Sequence, residues 1–518
     1  MRRIKIFLLN TLILGAASVA MRAVALVFNA YIANRIGAEG MGLFSLISSV
    51  YVFGVTLASA GIQLSVNRLV SEELAANNPR GASGCLKTAA LYAAITGTAA
   101  QIMLFSASGY IGRVILGDAR TVLSLRALSV SLPFIALSNV FSGYFYAVRR
   151  VIKSAAANVT EQAVKIAITV ALLVPMLPRG MEYACLAVVV GMSASEGASL
   201  FFLVILWLFD RKKHIKPDGR EVKLPGRRLL SISVPIALSS LLRSALVTFE
   251  HVLIPRGLKR HGLDSASALS AYGVIHGMVF PVILFPSALT GAVAGLMVAE
   301  MSSEATESGE YGSREIRYMV NRSYQMTLLY AAAAAGVFVT FANPLGILIY
   351  HNAETARYMR IFAAAVPIMY LDTVTDGMLK GLNQQLPSMW YNIIDAAVSV
   401  VLVFVLVPRL GIAGYVVTVF VTEALNASLS VSRLLIVTGA SIPLFGTVVK
   451  PMLAALGAAA VCRLVPLRAE GFFSLVLGIL FFLAVYAAFA IVLGAVKRED
   501  IRWGKALFER EEGKVKSE

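Results

Sequence analysis

Arg22, Lys165 and Arg243 stand inside long apolar runs of a 518-residue chain. A charge at such a place costs roughly 2.5–3.5 kcal/mol even on lenient insertion scales. Basic groups kept there are suited to holding an anion away from bulk water. Phosphate fits best. A diphosphate carries about two negative charges, and the planar fork of arginine meets it with parallel, charge-assisted hydrogen bonds. Arg22 and Arg243 are the first candidates for that contact and Lys165 is the third. Lys165 follows Glu161 by four residues, so a private pair along one helix is the competing reading.

A second set of residues is acidic. Glu250 lies seven residues after Arg243, about two turns and roughly 10 Å along a helix, too long for comfortable direct pairing. Asp372, Asp376 and Lys380 fall at i, i+4 and i+8, one helical stripe, and Asn392, Asp395 and Glu423 follow in the next apolar runs. Hard cations want oxygen ligands, so Glu250, Asp372, Asp376, Asn392, Asp395 and Glu423 are candidates for a Na⁺ or H⁺ coupling site. The alternative is an Asp376–Lys380 bridge on a solvated wall. Beyond a coupling ion no cofactor is expected. His251 is either a member of the Glu250 site or an interface residue. Cys85, Cys185 and Cys462 stand alone, without metal-ligand spacing, and read as packing residues.

The elements that must position these groups follow from composition. The chain is 58% hydrophobic and 14% charged, with mean hydropathy +0.77. A soluble protein would carry about 25% charge. Apolar runs of about 20 residues recur throughout, which predicts an all-α polytopic membrane protein. Fourteen transmembrane helices are expected, at about 8–34, 42–66, 86–108, 123–147, 155–176, 183–209, 229–254, 268–299, 319–342, 359–381, 388–407, 412–436, 446–466 and 471–496. No stretch is left for a soluble catalytic domain, so a transporter is expected and not an enzyme. The net charge of +17 belongs to loops facing anionic lipid, and no basic domain exists to bind nucleic acid.

With the N-terminus inside, 30 of the 46 Lys and Arg residues fall on cytoplasmic segments, which predicts that both termini are cytoplasmic. A signal peptide at the N-terminus is the competing reading of Met1–Ala20, but the apolar character continues to Ile32. Ile501, Trp503, Leu507 and Phe508 in the tail suit either a short interfacial helix or a solvated end.

An internal repeat organises the helices. The stretch from Leu132, "LPFIALSNVFSGYFYAVRRVIKSAAANVTEQAVKI", aligns without a gap with "VPIMYLDTVTDGMLKGLNQQLPSMWYNIIDAAVSV" from Val366. Pro133 meets Pro367, Gly143 meets Gly377, Asn158 meets Asn392 and Glu161 meets Asp395. "SVAMRAVALVFNAYI" matches "SSLLRSALVTFEHVLI", placing Arg22 on Arg243, and Glu196 falls against Glu423. Six helices repeated as six keep their orientation, so the expectation is two parallel-repeat lobes with Arg22 and Arg243 facing one central cavity. The expected division is 1–228, an N-lobe with a basic linker; 229–437, a C-lobe; 438–496, two extra helices; and 497–518, a cytoplasmic tail.

"ANRIGAEGMGLFSLI" (Ala33–Ile47) and "LASAGIQLSVNRLVSE" (Leu57–Glu72) resemble the opening helices of prokaryotic polysaccharide transporters. The branch is that of stage V sporulation protein B-like and lipid II flippase-like proteins, within the superfamily that also holds the multidrug and toxin extruders. The likeness covers nearly the whole chain. It departs at Gly61-Ile62-Gln63, where such proteins tend to read Gly-Ile-Pro. The resemblance implies two six-helix lobes that rock to give alternating access. It also implies a monomer in a bacterial plasma membrane, moving an undecaprenyl-diphosphate-linked saccharide outward, with the last two helices forming a groove for the lipid tail. Two rival functions remain open to these residues, a cation-coupled multidrug exporter of the same superfamily and a membrane-embedded polysaccharide polymerase or ligase. The paired arginines favour an anion over a cationic drug, and no large loop clusters His, Asp and Arg for polymerase chemistry.

Overall fold

The computed structural model describes the backbone of residues 2–214, 225–465 and 471–496, and the side chains of 19–211, 226–465 and 471–496. Most of the basic linker and the whole tail 497–518, with its expected interfacial helix, lie outside the described residues. The described residues contain helices and no strand. The helices are α1 (Arg2–Ser59), α2 (Ile62–Ala75), α3 (Pro79–Tyr110), α4 (Thr121–Ser129), α5 (Leu132–Ala147), α6 (Val151–Met176), α7 (Met181–His214), α8 (Pro225–His261) and α9 (Ser265–Gly273). A π turn, Val274–Val279, leads into α10 (Phe280–Ile283), then α11 (Ser287–Ser308), α12 (Arg314–Thr340), α13 (Ala342–Tyr350), α14 (Ala353–Ala363) and α15 (Val366–Gly381). The last are α16 (Gln385–Leu410), α17 (Ile412–Thr438), α18 (Lys450–Leu464) and α19 (Phe472–Val492).

Among the described residues, 11 helical stretches are long and apolar enough to cross a membrane, or 12 if α12 and α13, bent by 73° against each other, make one span. One of the 11, Val19–Ala75, has 57 residues. As a straight rod it would be about 85 Å long, against a hydrocarbon slab of roughly 30 Å. It is broken twice, at Gly37 (φ +70°, ψ −178°) and at Gly61 (φ +76°). Both conformations are cheap only for glycine. Gly61 also sits where an added Cβ would be 2.7 Å from the Ser233 carbonyl oxygen. The helix therefore breaks at Gly61 without a neighbouring proline. Near Gly37, Arg120 clasps Asp118 at 2.7 Å and Glu39 at 2.9 Å, and these carboxylates hold its guanidinium above its ordinary range.

The described residues form two compact units. The first comprises 2–278 with 392–418, and the second 279–391 with 419–496. In the first, α1 and α9 cross at Gly42 and Gly273, whose backbones approach so closely that neither has room for a methyl group. In the second, the core gathers Met301, Tyr324, Val374, Met378 and Leu434 from α11, α12, α15 and α17. There α18 and α19 pack on α12: the Tyr486 hydroxyl donates to the Leu329 carbonyl at 2.7 Å, and Phe482 meets Phe341 edge-on. Phe473 and Val492 on α19 are 83% and 80% exposed, as lipid-facing side chains should be.

Two sequence-aligned stretches have matching local structure, one in each unit. α5 and α15 each span 16 residues and carry proline in the first turn. Each is followed by a non-glycine residue in the left-handed region, Arg149 (φ 57°) and Asn383 (φ 58°). The next amide closes the turn at 2.8 Å in both, Arg150 to Phe145 and Gln384 to Leu379. Gly143 would place a Cβ 2.7 Å from the Gln63 carbonyl oxygen on α2, and Gly377 one 2.6 Å from that of Ala294 on α11.

Candidate substrate-binding cavity

A cavity of about 640 Å³ lies within the first unit, inside the roughly 300–1,000 Å³ range of small-ligand sites. Three chain segments wall it. From α1 come Asn29, before the Gly37 break, and Ser45, Ser48, Ser49 and Thr56 after it. From α8 come Ser240, Arg243, Ser244, Thr248 and His251, and from α9 and its π turn Tyr272 and His276. Met41, Phe44, Val52 and Val247 supply apolar patches.

Helical periodicity explains the polar lining. Ser45, Ser49 and Thr56 recur at i, i+4 and i+11, and Ser240, Ser244, Thr248 and His251 at i, i+4, i+8 and i+11, each a stripe along one face. The two stripes meet. The Thr56 and Ser244 hydroxyls are 3.3 Å apart, and the Thr248 hydroxyl donates to the Ser49 carbonyl at 3.1 Å. The Gly42–Gly273 crossing fixes the third wall.

Among the described residues lining the cavity, Arg243 carries the only formal charge. Asp395 on α16 lies within its electrostatic field. Asp395 also acts on Glu250, whose carboxylate lies within hydrogen-bonding reach of Ser399. Oδ1 of Asp395 is buried without a hydrogen-bond partner among the described residues. Arg243, Glu250 and Asp395 are thus brought together on α8 and α16, and half-buried Asn392 stands one turn before Asp395.

The other expected residues lie elsewhere. Arg22 is exposed on α1, two turns before Asn29 and outside the lining. Lys165 on α6 is drawn to Glu161 at 3.7 Å, the private pair, with Glu196 of α7 in their field. In the second unit, Asp372 accepts from Asn426 at 3.0 Å, and Asp376 accepts from Ser388 at 2.6 Å with Lys380 at 3.9 Å. Glu423 is half-buried on α17, three residues before Asn426. Among the described residues, no three His, Cys, Asp or Glu side chains converge as metal ligands. The cysteines are buried and unpaired, as packing residues are.

Sequence reasoning missed the imidazole–phenol cluster at one end of the cavity. His251 Nδ1 is 2.7 Å from the Tyr272 hydroxyl and His276 Nε2 is 2.9 Å from that of Tyr415. Helical spacing of His251 from Ser240, Ser244 and Thr248 was the available signal.

Residues 7–262 match the family described as polysaccharide biosynthesis protein. The chain is 27% identical to stage V sporulation protein B of Bacillus subtilis (strain 168) over 442 residues, covering 83% of this chain and 84% of the relative. It is 23% identical to sporulation protein YkvU of the same organism, covering 68% of this chain and 78% of that one. Among solved structures it is similar to the lipid II flippase MurJ in an inward closed conformation, with a TM-score of 0.68, 13% identity, and 93% and 98% of the two chains covered. An inward-facing multidrug resistance MATE family transporter of the MOP superfamily gives a TM-score of 0.65 at 14% identity, covering 80% of this chain and 95% of its own. The chain therefore has the fold of these solved transporters. The activities named among these solved structures are flipping and transport, and the described residues of this chain hold 11 or 12 helical stretches long and apolar enough to cross a membrane.

Proposed function

We propose that the protein is a flippase. It carries an undecaprenyl-diphosphate-linked saccharide, an oligosaccharide or a peptidoglycan precursor, from the inner to the outer leaflet of a bacterial plasma membrane. The observation that carries this reading is the placement of Arg243 as the charged group of a 640 Å³ cavity lined by serine and threonine hydroxyls. A guanidinium among neutral donors attracts an anion and repels a cationic drug, which weighs against the multidrug-exporter reading. Arg22, two turns along α1 from Asn29, sits where a phosphate on its way to Arg243 meets a first cation. Lys165, paired with Glu161, is a weaker third donor.

The reading includes a 14-helix plan with two parallel six-helix repeats, 1–228 and 229–437. The matched turns after α5 and α15 and the matched contacts of Gly143 and Gly377 support it. It takes α18 and α19, within 438–496, as the surface for the lipid tail, and both termini as cytoplasmic. Moving about two negative charges outward across an inside-negative 100 mV is favourable by roughly 4.6 kcal/mol, at about 2.3 per charge. Coupling to Na⁺ or H⁺ would add to this. Glu250, Asp395 with its unbonded Oδ1, and Ser399 offer the oxygen donors such an ion wants, with Asn392 a turn away. Asp372, Asp376 and Glu423 form a second acidic group, already tied to Asn426, Ser388 and Lys380 where bonds are seen.

The experiment is native mass spectrometry of co-purified lipid. Wild type should carry an undecaprenyl diphosphate species, and Arg22→Ala/Arg243→Ala should lose it while keeping ordinary phospholipid. Retention of the diphosphate lipid by the double variant would sink the reading.

A further inference from the structure

We infer that His251, with Tyr272 and His276, forms a saccharide subsite at the end of the cavity remote from Arg243. The inference rests on the flippase reading and assigns the two parts of its substrate to two poles of the cavity.

His251 lies eight residues beyond Arg243 on α8, about 12 Å further along the axis. A diphosphate clasped at Arg243 does not reach that far, whereas the sugar attached to it does. The two poles differ in chemistry. The Arg243 end offers charge, which phosphate needs. The far end offers rings and neutral hydrogen-bonding groups, which match a sugar's alternation of C–H faces and hydroxyls.

The far pole is built, not merely polar. The His251 and His276 rings are 4.6 Å apart, edge to face, and His276 is 4.6 Å from the Tyr272 ring. Tyr272 is fully buried, and its hydroxyl sits 2.7 Å from Nδ1 of His251. That contact orients the imidazole and sets its tautomer. It leaves Nε2 as the His251 nitrogen for a ligand in the cavity the residue lines. His276 is braced from the other side by Tyr415 and rides on a π turn, a feature frequent at functional sites. Pre-orientation of this kind lowers the entropy lost when a ligand is bound.

The test uses full-length protein in detergent and two probes, undecaprenyl diphosphate and undecaprenyl diphosphate bearing one N-acetylglucosamine. Wild type should prefer the sugar-bearing probe about tenfold, the worth of one or two net hydrogen bonds. His251→Leu should bring that preference close to one. His251→Gln, whose amide reaches the place of Nε2, should keep most of it. Tyr272→Phe, a smaller change in case His251→Leu fails to fold, should lower it by loosening the ring. An unchanged preference in either His251→Leu or Tyr272→Phe overturns the subsite, as does equal loss in His251→Leu and His251→Gln. Wild type binding both probes equally also overturns it while leaving the diphosphate reading intact. Wild type binding neither removes the flippase reading and the subsite together.

Discussion

Asp210, near the end of α7, has its side chain fully shielded from solvent. Three groups hold it. Arg150 and Lys153, at the start of α6, pair with Oδ1, the lysine at 2.7 Å, and the Tyr144 hydroxyl donates to Oδ2 at 3.1 Å. The two cations remain 35% and 27% exposed, so each alone is screened and is worth at most about 1 kcal/mol. Either one also suffices to keep the carboxylate paired. Arg150→Ala and Lys153→Ala should therefore each cost about 1 kcal/mol or less. Removing both leaves a buried, unpaired carboxylate, for which about 3–5 kcal/mol is the expected loss. The cycle should thus show a coupling of roughly 1–5 kcal/mol, well above the 0.3–0.5 kcal/mol scatter of independent sites. The assay is reversible unfolding in mixed dodecylmaltoside–SDS micelles, followed by Trp207 fluorescence in a background with Trp390 and Trp503 replaced by Phe. Trp207 lies one turn from Asp210, 5.4 Å from the Phe141 ring, and reports the region directly. A double variant whose loss equals the sum of the single losses would refute the reasoning that the two cations substitute for each other.

Two further outcomes follow from geometry. Gly273→Leu drives a side chain into the backbone of α1 at Ala38 and Gly42; it should destabilise the fold by about 1–3 kcal/mol or more and abolish lipid co-purification, whereas Gly291→Leu, in open space, should do neither. Asp264 caps α9 by accepting from the amides of Ala266 and Ser267, and those bonds, with Ser267's hydroxyl leading, hold its carboxyl below its usual range. A depressed carboxylate contributes above its unfolded pKa and loses that contribution as pH falls through the folded one. Amide exchange at Ala266 and Ser267, corrected for intrinsic rates, should accelerate only as pH falls below the ordinary aspartate range, and Asp264→Ala should remove that dependence.

Much of the fold was legible because apolar runs long enough to cross a bilayer have few alternative readings. What sequence hid were breaks inside those runs. Gly61 breaks a helix without a neighbouring proline, and the stretch 268–299, read as one span, is cut by a π turn and by Pro281 and Pro286 into α9, α10 and α11. Two stretches aligned by letter do share local geometry. Gly143 and Gly377, aligned by letter alone, make equivalent close contacts with α2 and α11. The site was less legible. A lone charge in an apolar run announces itself, as Arg243 does, and that residue lines the cavity. Serine and threonine do not, since their hydroxyls satisfy themselves on the preceding turn of any helix, as Ser49 does with Leu46. Lys165 illustrates the converse: its spacing from Glu161 suited an ion pair as well as an anion site, with the pair favoured, and the fold holds the two at 3.7 Å. Tyr415, more than a hundred residues from His276, is joined to it by folding alone.

The central claim is that Arg243 binds the diphosphate of a lipid carrier on its way across the membrane. It is tested most directly in proteoliposomes with an inside-negative potential and fluorescent undecaprenyl diphosphate N-acetylglucosamine, scored by dithionite quenching of the outer leaflet. Wild type should expose inner-leaflet lipid in a potential-dependent manner. Arg243→Ala should slow this by about 10- to 100-fold, the loss of one or two charge-assisted hydrogen bonds, and Arg243→Lys should fall between. Equal rates in wild type and Arg243→Ala would contradict the account.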